Sequence, residues 1–440
     1  MMRKPSCLLL ATTLFLAPAV YSSELSESIQ QDYDSHLGAL WDHFHQNPEL
    51  STLEFRTAER MASELREAGF EVTEQVGGTG VVAMLRNGNG PMVMMRADMD
   101  GLPVEERSGL ANASAVTMVD PLTGTTVPVM HACGHDVHIT SLVGTARQMA
   151  ARKDEWGGTL MLIVQPAEER GMGAQSMHGD GLWERFGQPD YALALHVSSE
   201  NVAGKINVTE SPYAGVDTVD IIIHGVGAHG ASPHRGKDPI VLGSQIVLAL
   251  QTLVARELPP RSPGVVTVGS FHSGTKHNII SDRAVLQLTV RNTSLETRDL
   301  LLNGIKRIAE NMGRAAGLPE DKLPEVIVSP ETAPPTINTA QLARRLRIAW
   351  SEEIGDSRVI EEPTKTMVAE DFPFFTMDPE IPSVYWGVGG TPAEDFDREA
   401  AGGAPVPSHH SPLFKIAPEP SVTAGVESTV VALLELMGDR

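Results

Sequence analysis

The sequence predicts an α/β protein whose open sheet is interrupted by a smaller α+β domain of ferredoxin-like order. Three observations carry that expectation. Apolar strands that read as covered on both faces alternate with helices. Several of these strands run straight into polar fragments rich in His, Cys and Glu, where open α/β sheets place their sites. From about Tyr213 the order changes to β-α-β-β-α-β. A chain of 440 residues is long enough for two separate cores.

The elements follow in order. A helix is expected over Ile29–His45, ending at Asn47-Pro48-Glu49-Leu50. A second, Thr57–Ala68, carries Ala58, Met61, Ala62 and Leu65 at helical spacing and stops at Gly69. Strands are predicted at Glu71–Gln75, Val81–Leu85 and Met92–Arg96, the last apolar almost throughout and running into Ala97-Asp98-Met99-Asp100. Val137–Ala150 reads as a helix, Leu160–Val164 as a strand delivering Glu168 and Glu169, and Tyr191–Leu195 as a strand delivering His196. In the smaller domain Val216–His224, Val265–Phe271, Ala284–Arg291 and Glu325–Val328 are strands, with helices Ile240–Arg256 and Leu295–Ala316 between them. Turn-rich and Pro-rich flanks near Ser211-Pro212 and Pro330–Pro335 bound that insert. The division is therefore residues 24–212 and 333–440 for the α/β domain and 213–332 for the insert. The larger domain resumes with helix Ala340–Ile354 and strand Ser383–Gly387 and closes with an amphipathic helix, Val422–Leu436.

Residues 1–23 read as a signal peptide. Arg3 and Lys4 precede the apolar run Leu8–Val20, and small polar residues follow at Ser22 and Ser23. The run is short of the roughly 20 residues that span a bilayer, and Pro18 breaks it, so a retained anchor is the weaker alternative. The expected location is periplasmic or secreted, with no stable membrane anchor after cleavage. Cleavage would remove Cys7 and leave Cys133 as the sole thiol, so no internal disulfide is expected. The formal charge of −22 argues against nucleic acid, whose phosphates an acidic surface repels.

Four fragments carry chemistry: Met130-His131-Ala132-Cys133-Gly134-His135-Asp136, Gln165-Pro166-Ala167-Glu168-Glu169, Leu195-His196 and His409-His410-Ser411-Pro412. Together they supply a thiolate, imidazoles and paired carboxylates, the donors for borderline divalent metals plus a base for water. Cys133 and His135, two apart in a glycine turn, reach one small volume, while Asp136 and His138 serve equally well as supports that orient ligands. In an extended turn Glu168 and Glu169 would diverge, one binding metal and one facing water. His196 alone reads as readily as a core histidine. Of His409 and His410, one completes the site, and spacing does not choose between them.

In this order the fragments resemble the metallopeptidase family of aminoacylases and glutamate-releasing carboxypeptidases. They are most similar to its amidohydrolase branch of hippurate, N-acyl-amino-acid and auxin-conjugate hydrolases. The likeness begins with His45 and Asn47-Pro48-Glu49-Leu50-Ser51, continues through Arg96-Ala97-Asp98-Met99-Asp100-Gly101-Leu102-Pro103, and is most specific at His131–Asp136 and Gln165–Glu169. It implies a zinc-peptidase-like catalytic domain with an inserted lid and dimerisation domain. It implies two divalent ions, zinc or manganese with nickel or cobalt as alternatives, on Cys133, His135, Glu169, His196 and His410. Glu168 would be the general base and Asp100 a supporting carboxylate. His229, in Gly227-Ala228-His229-Gly230-Ala231, would reach the scissile carbonyl, often that of the partner subunit, and Asn278 and Arg291 would contact the substrate's carbonyl or carboxylate. A homodimer through the insert is the implied assembly. The chain departs from the family at Arg170 and Met172, which break a glycine run, at Gly227-Ala228-His229-Gly230, and in an additional segment from about Asn112 to Val127. These departures lie where substrate preference would be set. The expected reaction is hydrolysis of an N-acyl amino acid to a carboxylic acid and a free amino acid. A dipeptidase or carboxypeptidase on the same site is the nearest rival, and a non-catalytic metal-binding envelope protein the more distant one.

Overall fold

The computed structural model describes residues 18–362 and 367–438. Residues 1–17, which hold Cys7 and most of the expected leader, lie outside the described residues.

The larger domain is built on an eight-stranded sheet whose spatial order is Glu71–Val76, Gly80–Asn87, Gly158–Gln165, Met92–Asp98, Tyr191–Val202, Ser383–Thr391, Ile206–Asn207 and Val359–Ile360. Its centre is parallel: Met92–Asp98 pairs in parallel with Gly158–Gln165 on one side and Tyr191–Val202 on the other, and Tyr191–Val202 with Ser383–Thr391. These central strands are buried along nearly their whole length, which explains their unbroken apolar sequences. The first helical stretch is not one regular helix. Pro18–Asp32 and Gly38–Gln46 are joined through a π-turn, Tyr33–Leu37.

The last helix, Pro418–Met437, corrects the expectation of an amphipathic helix. It is buried on nearly every side, Ser421, Ser428 and Thr429 included, because it packs against helices His135–Ala151, Ala340–Trp350 and Pro18–Asp32 and against strand Ser383–Thr391. Its hydroxyls return to backbone carbonyls one turn earlier, as Ser428 Oγ does to the Ala424 carbonyl at 2.7 Å, so Ser421, Ser428 and Thr429 stay paired when buried.

The insert is a four-stranded antiparallel sheet in the order Gly264–Ser273, Arg283–Asn292, Gly215–His224, Glu325–Ala333, with helices Pro239–Thr252 and Leu295–Ala315 on one face. Strict alternation sends Val219, Ile221 and Ile223 under the helices, where they meet Leu242, Ile246, Leu250, Leu301 and Ile305. The helices start where sequence chemistry allows. Asp238 accepts from the amides of Ile240 and Val241 ahead of Pro239, and Ser294 Oγ accepts from the Thr297 amide. Among the described residues the helices that pack on this sheet do so on that one face, and its end at Val216, Thr218 and Arg291 lines a cleft with the larger domain.

Candidate metal centre and catalytic cleft

A cleft of about 750 Å³ lies between the two domains. One wall carries Cys133, Glu168, Glu169, His196 and His410; the other carries Val216, Thr218, Arg291 and Thr332 of the insert.

The donors come from four chain segments. Gly134, with φ of 83°, turns the chain sharply after Cys133 and starts helix His135–Ala151, so His135 occupies the first position of a buried helix. Its Nδ1 lies 2.8 Å from the carbonyl oxygen of Asp100, an obligate acceptor, so Nδ1 donates there and Nε2 is the nitrogen turned toward the carboxylates of Glu168 and Glu169. His196 is fixed in the same way by the Val197 carbonyl, at 2.6 Å from its Nδ1, and its Nε2 stands 3.5 Å from Cys133 Sγ. Unlike the expectation, His196 does not end its strand, which runs on to Val202. Burial together with His138 and His409 holds His196 far below its ordinary range and so neutral.

Glu168 and Glu169 also depart from expectation. They occupy a single 3-10 turn, Glu168–Arg170, and do not diverge: Glu168 Oε2 and Glu169 Oε1 stand 3.9 and 3.8 Å from the same His135 Nε2. His410 Nε2 reaches Glu169 Oε2 at 3.3 Å, whereas His409 Nε2 accepts from the Ser199 amide. The structure therefore brings His410, not His409, to the donors. Three groups of three result, Cys133–His135–His196, Cys133–Glu169–His410 and His135–Glu168–Glu169, each with donor atoms within 4.8 Å of one another, and the first two share the thiol.

This set fits divalent cations. His135 Nε2 and Glu169 Oε1 are buried without a hydrogen-bond partner, an arrangement that a cation satisfies. Burial opposes charge on His135, yet Asp98, Asp100 and Glu169 outweigh it and push the imidazole up to about 10. Burial and Glu169 raise the Cys133 thiol well above its ordinary value. In both cases a proton and a divalent ion are alternatives at the same lone pair. Asp98, His135 and His138 also cluster, but His138 is committed at both nitrogens, donating to Asp98 at 2.5 Å and accepting from the Val197 amide at 2.8 Å. It supports the site from outside. Asp100 does the same, with Oδ1 3.3 Å from His135 Nδ1 and Oδ2 accepting from Ser51 and from the Glu169 amide. Asp136 accepts from His45, which stacks on Trp41 and also faces Glu106.

Sequence reasoning missed a second acidic pair. Glu370 and Asp371 bring their carboxylates within 4.8 Å of Glu168. Arg96, fully buried, binds Glu370 at 2.8 Å, Asp98 at 2.6 Å and Gln165 at 2.7 Å, and Gln165 in turn donates to Asp371. The signal was present: an arginine inside the apolar strand Met92–Asp98 requires a buried countercharge. Glu370-Asp371 also precedes the aromatic run Phe372-Pro373-Phe374-Phe375. Burial first, then Glu370, Glu169 and Asp371, pushes Glu168 well above the ordinary carboxylate range.

Arg291 lines the cleft half-buried, with hydrogen bonds to Thr289 Oγ1 and the Met367 carbonyl. His229 and Asn278 are not brought there. They are exposed together on a small two-stranded element, where the Gly230 amide donates to the Asn278 carbonyl, and neither is among the described residues lining the cleft. Arg170, one of the departures, does line it.

Residues 94–402 match the model of Peptidase family M20/M25/M40. The chain is 36% identical to a hippurate hydrolase of Campylobacter jejuni over 333 residues, 75% of this chain and 82% of that protein. It is 35% identical to thermostable carboxypeptidase 2 of Saccharolobus solfataricus over 350 residues, 78% of this chain and 83% of that protein. Among solved structures, the Bacillus subtilis YxeP protein, a dinuclear metal binding peptidase of the M20 family, superimposes with a TM-score of 0.74 at 27% identity, covering 92% of this chain and 99% of that one. With its donors assembled on one wall of the cleft and this likeness along most of its length, the chain belongs to peptidase family M20/M25/M40 and is a metal-dependent hydrolase of amide bonds.

Proposed function

We propose that the protein releases free amino acids from N-acyl amino acids. The observation that carries this reading is the pairing across one cleft of the donor cluster with Arg291, a half-buried guanidinium that has no carboxylate partner among the described residues. A substrate carboxylate would complete Arg291, and its amide would then lie toward Glu168. The hippurate hydrolase relative supports the same substrate class.

Cys133, His135, Glu169, His196 and His410 would hold two ions. Zinc or manganese suits this mixed donor set, with nickel or cobalt as alternatives. Divalent ions held there supply Lewis acidity to the amide carbonyl and acidify the attacking water. Glu168 removes the proton of that water and returns it to the leaving nitrogen. Its neighbours Glu370 and Asp371 keep its carboxylate basic, and Asp100 keeps His135 in the tautomer with a free Nε2. The insert carries Arg291 and acts as the lid.

His229 and Asn278, exposed on the insert, would serve the cleft of a second copy. The insert also exposes Ile240, Val241, Leu248 and Phe271, an apolar surface suited to a homodimer. The basic start and the apolar run Leu8–Val20 support a leader that is removed and a periplasmic or secreted product.

The carboxypeptidase relative supports a second reading, hydrolysis of peptides on the same site. The protein reconstituted with zinc or manganese is offered N-acetyl, N-benzoyl and longer-acyl amino acids beside the matching dipeptides, and released amino acids are followed by mass spectrometry. Selective cleavage of the blocked substrates is expected. Cleavage of dipeptides alone would make the protein a peptidase.

A further inference from the structure

We propose that Glu54 is a positioning residue for Glu168: its buried carboxylate holds Ala167 in the left-handed backbone conformation that aims Glu168 into the cleft. The proposal rests on Glu168 being the base.

Glu54 stands at the N-cap of helix Phe55–Glu67, where a carboxylate ordinarily accepts from the first amides of its own helix. It does not do so. Glu49 takes that role, its Oε2 accepting from the Thr57 amide at 2.8 Å and from Thr57 Oγ1 at 2.9 Å. Glu54, with no exposure, points the other way. Its Oε1 accepts from the amides of Ala167 at 2.8 Å and Thr52 at 2.9 Å, and its Oε2 accepts from Thr79 Oγ1 at 2.6 Å.

The two amides bound to Oε1 belong to residues in strained backbone. Ala167 has φ of 49° and Thr52 φ of 73°, a region that L side chains with a Cβ rarely adopt. Among the described residues only Gln75 and His410 share that property outside glycine. One buried oxygen thus pins two of the chain's few left-handed non-glycine residues, and one of them directly precedes Glu168. Space remains behind the turn, where a second cavity of about 260 Å³ is lined by Thr52, Thr79, Ala167 and Gly173. The Ala167 carbonyl is satisfied within the turn by the amides of Met172 and Gly173. Two buried carboxylates tie the turn to the rest of the domain, Glu54 through the Ala167 amide ahead of Glu168 and Asp100 through the Glu169 amide after it.

The test compares Glu54→Gln, which keeps an acceptor oxygen for Ala167 and Thr52, with Glu54→Met, which keeps the length and loses the acceptor. Each variant is assayed with metal bound, on whichever amide substrate the wild type turns over. Glu54→Met is expected to lower kcat by about tenfold or more with KM within about twofold, since a base displaced by a fraction of an ångström loses turnover more than binding. Metal content should match the wild type. Glu54→Gln should recover to within about threefold, and adding Ala167→Gly to Glu54→Met should restore part of kcat, because glycine adopts positive φ without strain. Hydrogen exchange supplies a readout that needs no variant: the Ala167 amide of the wild type should be protected. Glu168→Gln separates the two readings. If it is inactive while Glu54→Met turns over like the wild type, or Glu54→Gln is as impaired as Glu54→Met, the positioning role is overturned and the base is kept. If Glu168→Gln remains active, both fall. An unprotected Ala167 amide overturns the positioning role even if Glu54→Met does not fold.

Discussion

Glu168→Gln should separate activity from stability in opposite directions. Glu168 stands within 4.8 Å of both Glu370 and Asp371, and its side chain is only 10% exposed. Two like charges at that distance repel by roughly 3 kcal/mol at an effective dielectric near 20. Protonation of Glu168 relieves part of this in the metal-free protein, so an uncharged amide should stabilise that form by on the order of 1 kcal/mol. The sign follows from linkage. The folded pKa of Glu168 lies above its unfolded value, so its contribution is fully favourable below the unfolded pKa and is lost as pH rises through the folded one. The advantage of the glutamine variant should therefore grow with pH from about 4.5 upward. Turnover of the metal-loaded variant should fall by about 10² to 10⁴, or roughly 3 to 5 kcal/mol of barrier, the usual span for a general base. Urea unfolding of the metal-free protein at pH 5 and pH 8, beside steady-state kinetics of the loaded protein, reads both quantities. Turnover within tenfold of the wild type, or a metal-free variant less stable than wild type at pH 8, would refute the reasoning.

Further outcomes follow from the same geometry. Arg291→Ala should raise KM for a carboxylate-bearing substrate by about 10- to 100-fold while kcat changes less, the scale of one charge-assisted hydrogen bond; an unchanged KM would remove Arg291 from recognition. Titration with zinc should release protons, since the Cys133 thiol and the His135 imidazole are protonated before binding. Calorimetry in buffers of different ionisation enthalpy checks this, and a heat independent of buffer contradicts it. Arg96→Met should destabilise by about 3–5 kcal/mol at pH 7 by leaving Asp98, Glu370 and Asp371 without their guanidinium. The wild type keeps the Asp98 contribution above its unfolded pKa and loses it only as pH falls through a much lower folded one, whereas carboxylates in the variant regain protons sooner. The gap measured by urea unfolding should narrow below about pH 5; a gap that does not change with pH would count against the network.

How much was legible depended on the range of the interaction that fixes each residue. Strands Met92–Asp98 and Gly158–Gln165 were plain because burial on both faces writes itself into every position. The insert was legible for the opposite reason, since Gly215–His224 alternates strictly. Helix Pro418–Met437 was misread because its serines and threonines, polar in composition, are paired within the helix and so tolerate burial. The choice of His410 over His409 could not come from two adjacent histidines. It is settled by a positive φ of 64° at His410 and by the amide of Ser199 waiting for His409, neither of which leaves a local trace. Glu370 and Asp371 were missed because their meaning depends on Arg96, 274 residues away from Glu370 along the chain. The resemblance supplied the ligand set, whereas the support that orders it came from contacts remote in sequence.

The distribution of charge explains why this fold is tied to its metals. Asp98, Asp100, Glu168, Glu169, Glu370 and Asp371 converge on one region, and Arg96 alone among the described guanidiniums forms ion pairs with any of them. Arg96 answers Asp98, Glu370 and Asp371. That leaves Glu168, Glu169 and Asp100 to imidazoles, which carry charge only by holding protons at the positions where ligand lone pairs are needed. Without cations the centre lowers its negative charge by holding protons on Glu168, His135 and the Cys133 thiol; with them, His135 and Cys133 become donors. Ion binding to the folded form alone must then raise stability by mass action, by about 4 kcal/mol at a thousandfold excess over Kd. A chelator should lower the melting temperature and shift its pH dependence together. A melting curve indifferent to chelation would mean that this acidic centre is balanced by some other means, and the assignment of its donors would have to be withdrawn.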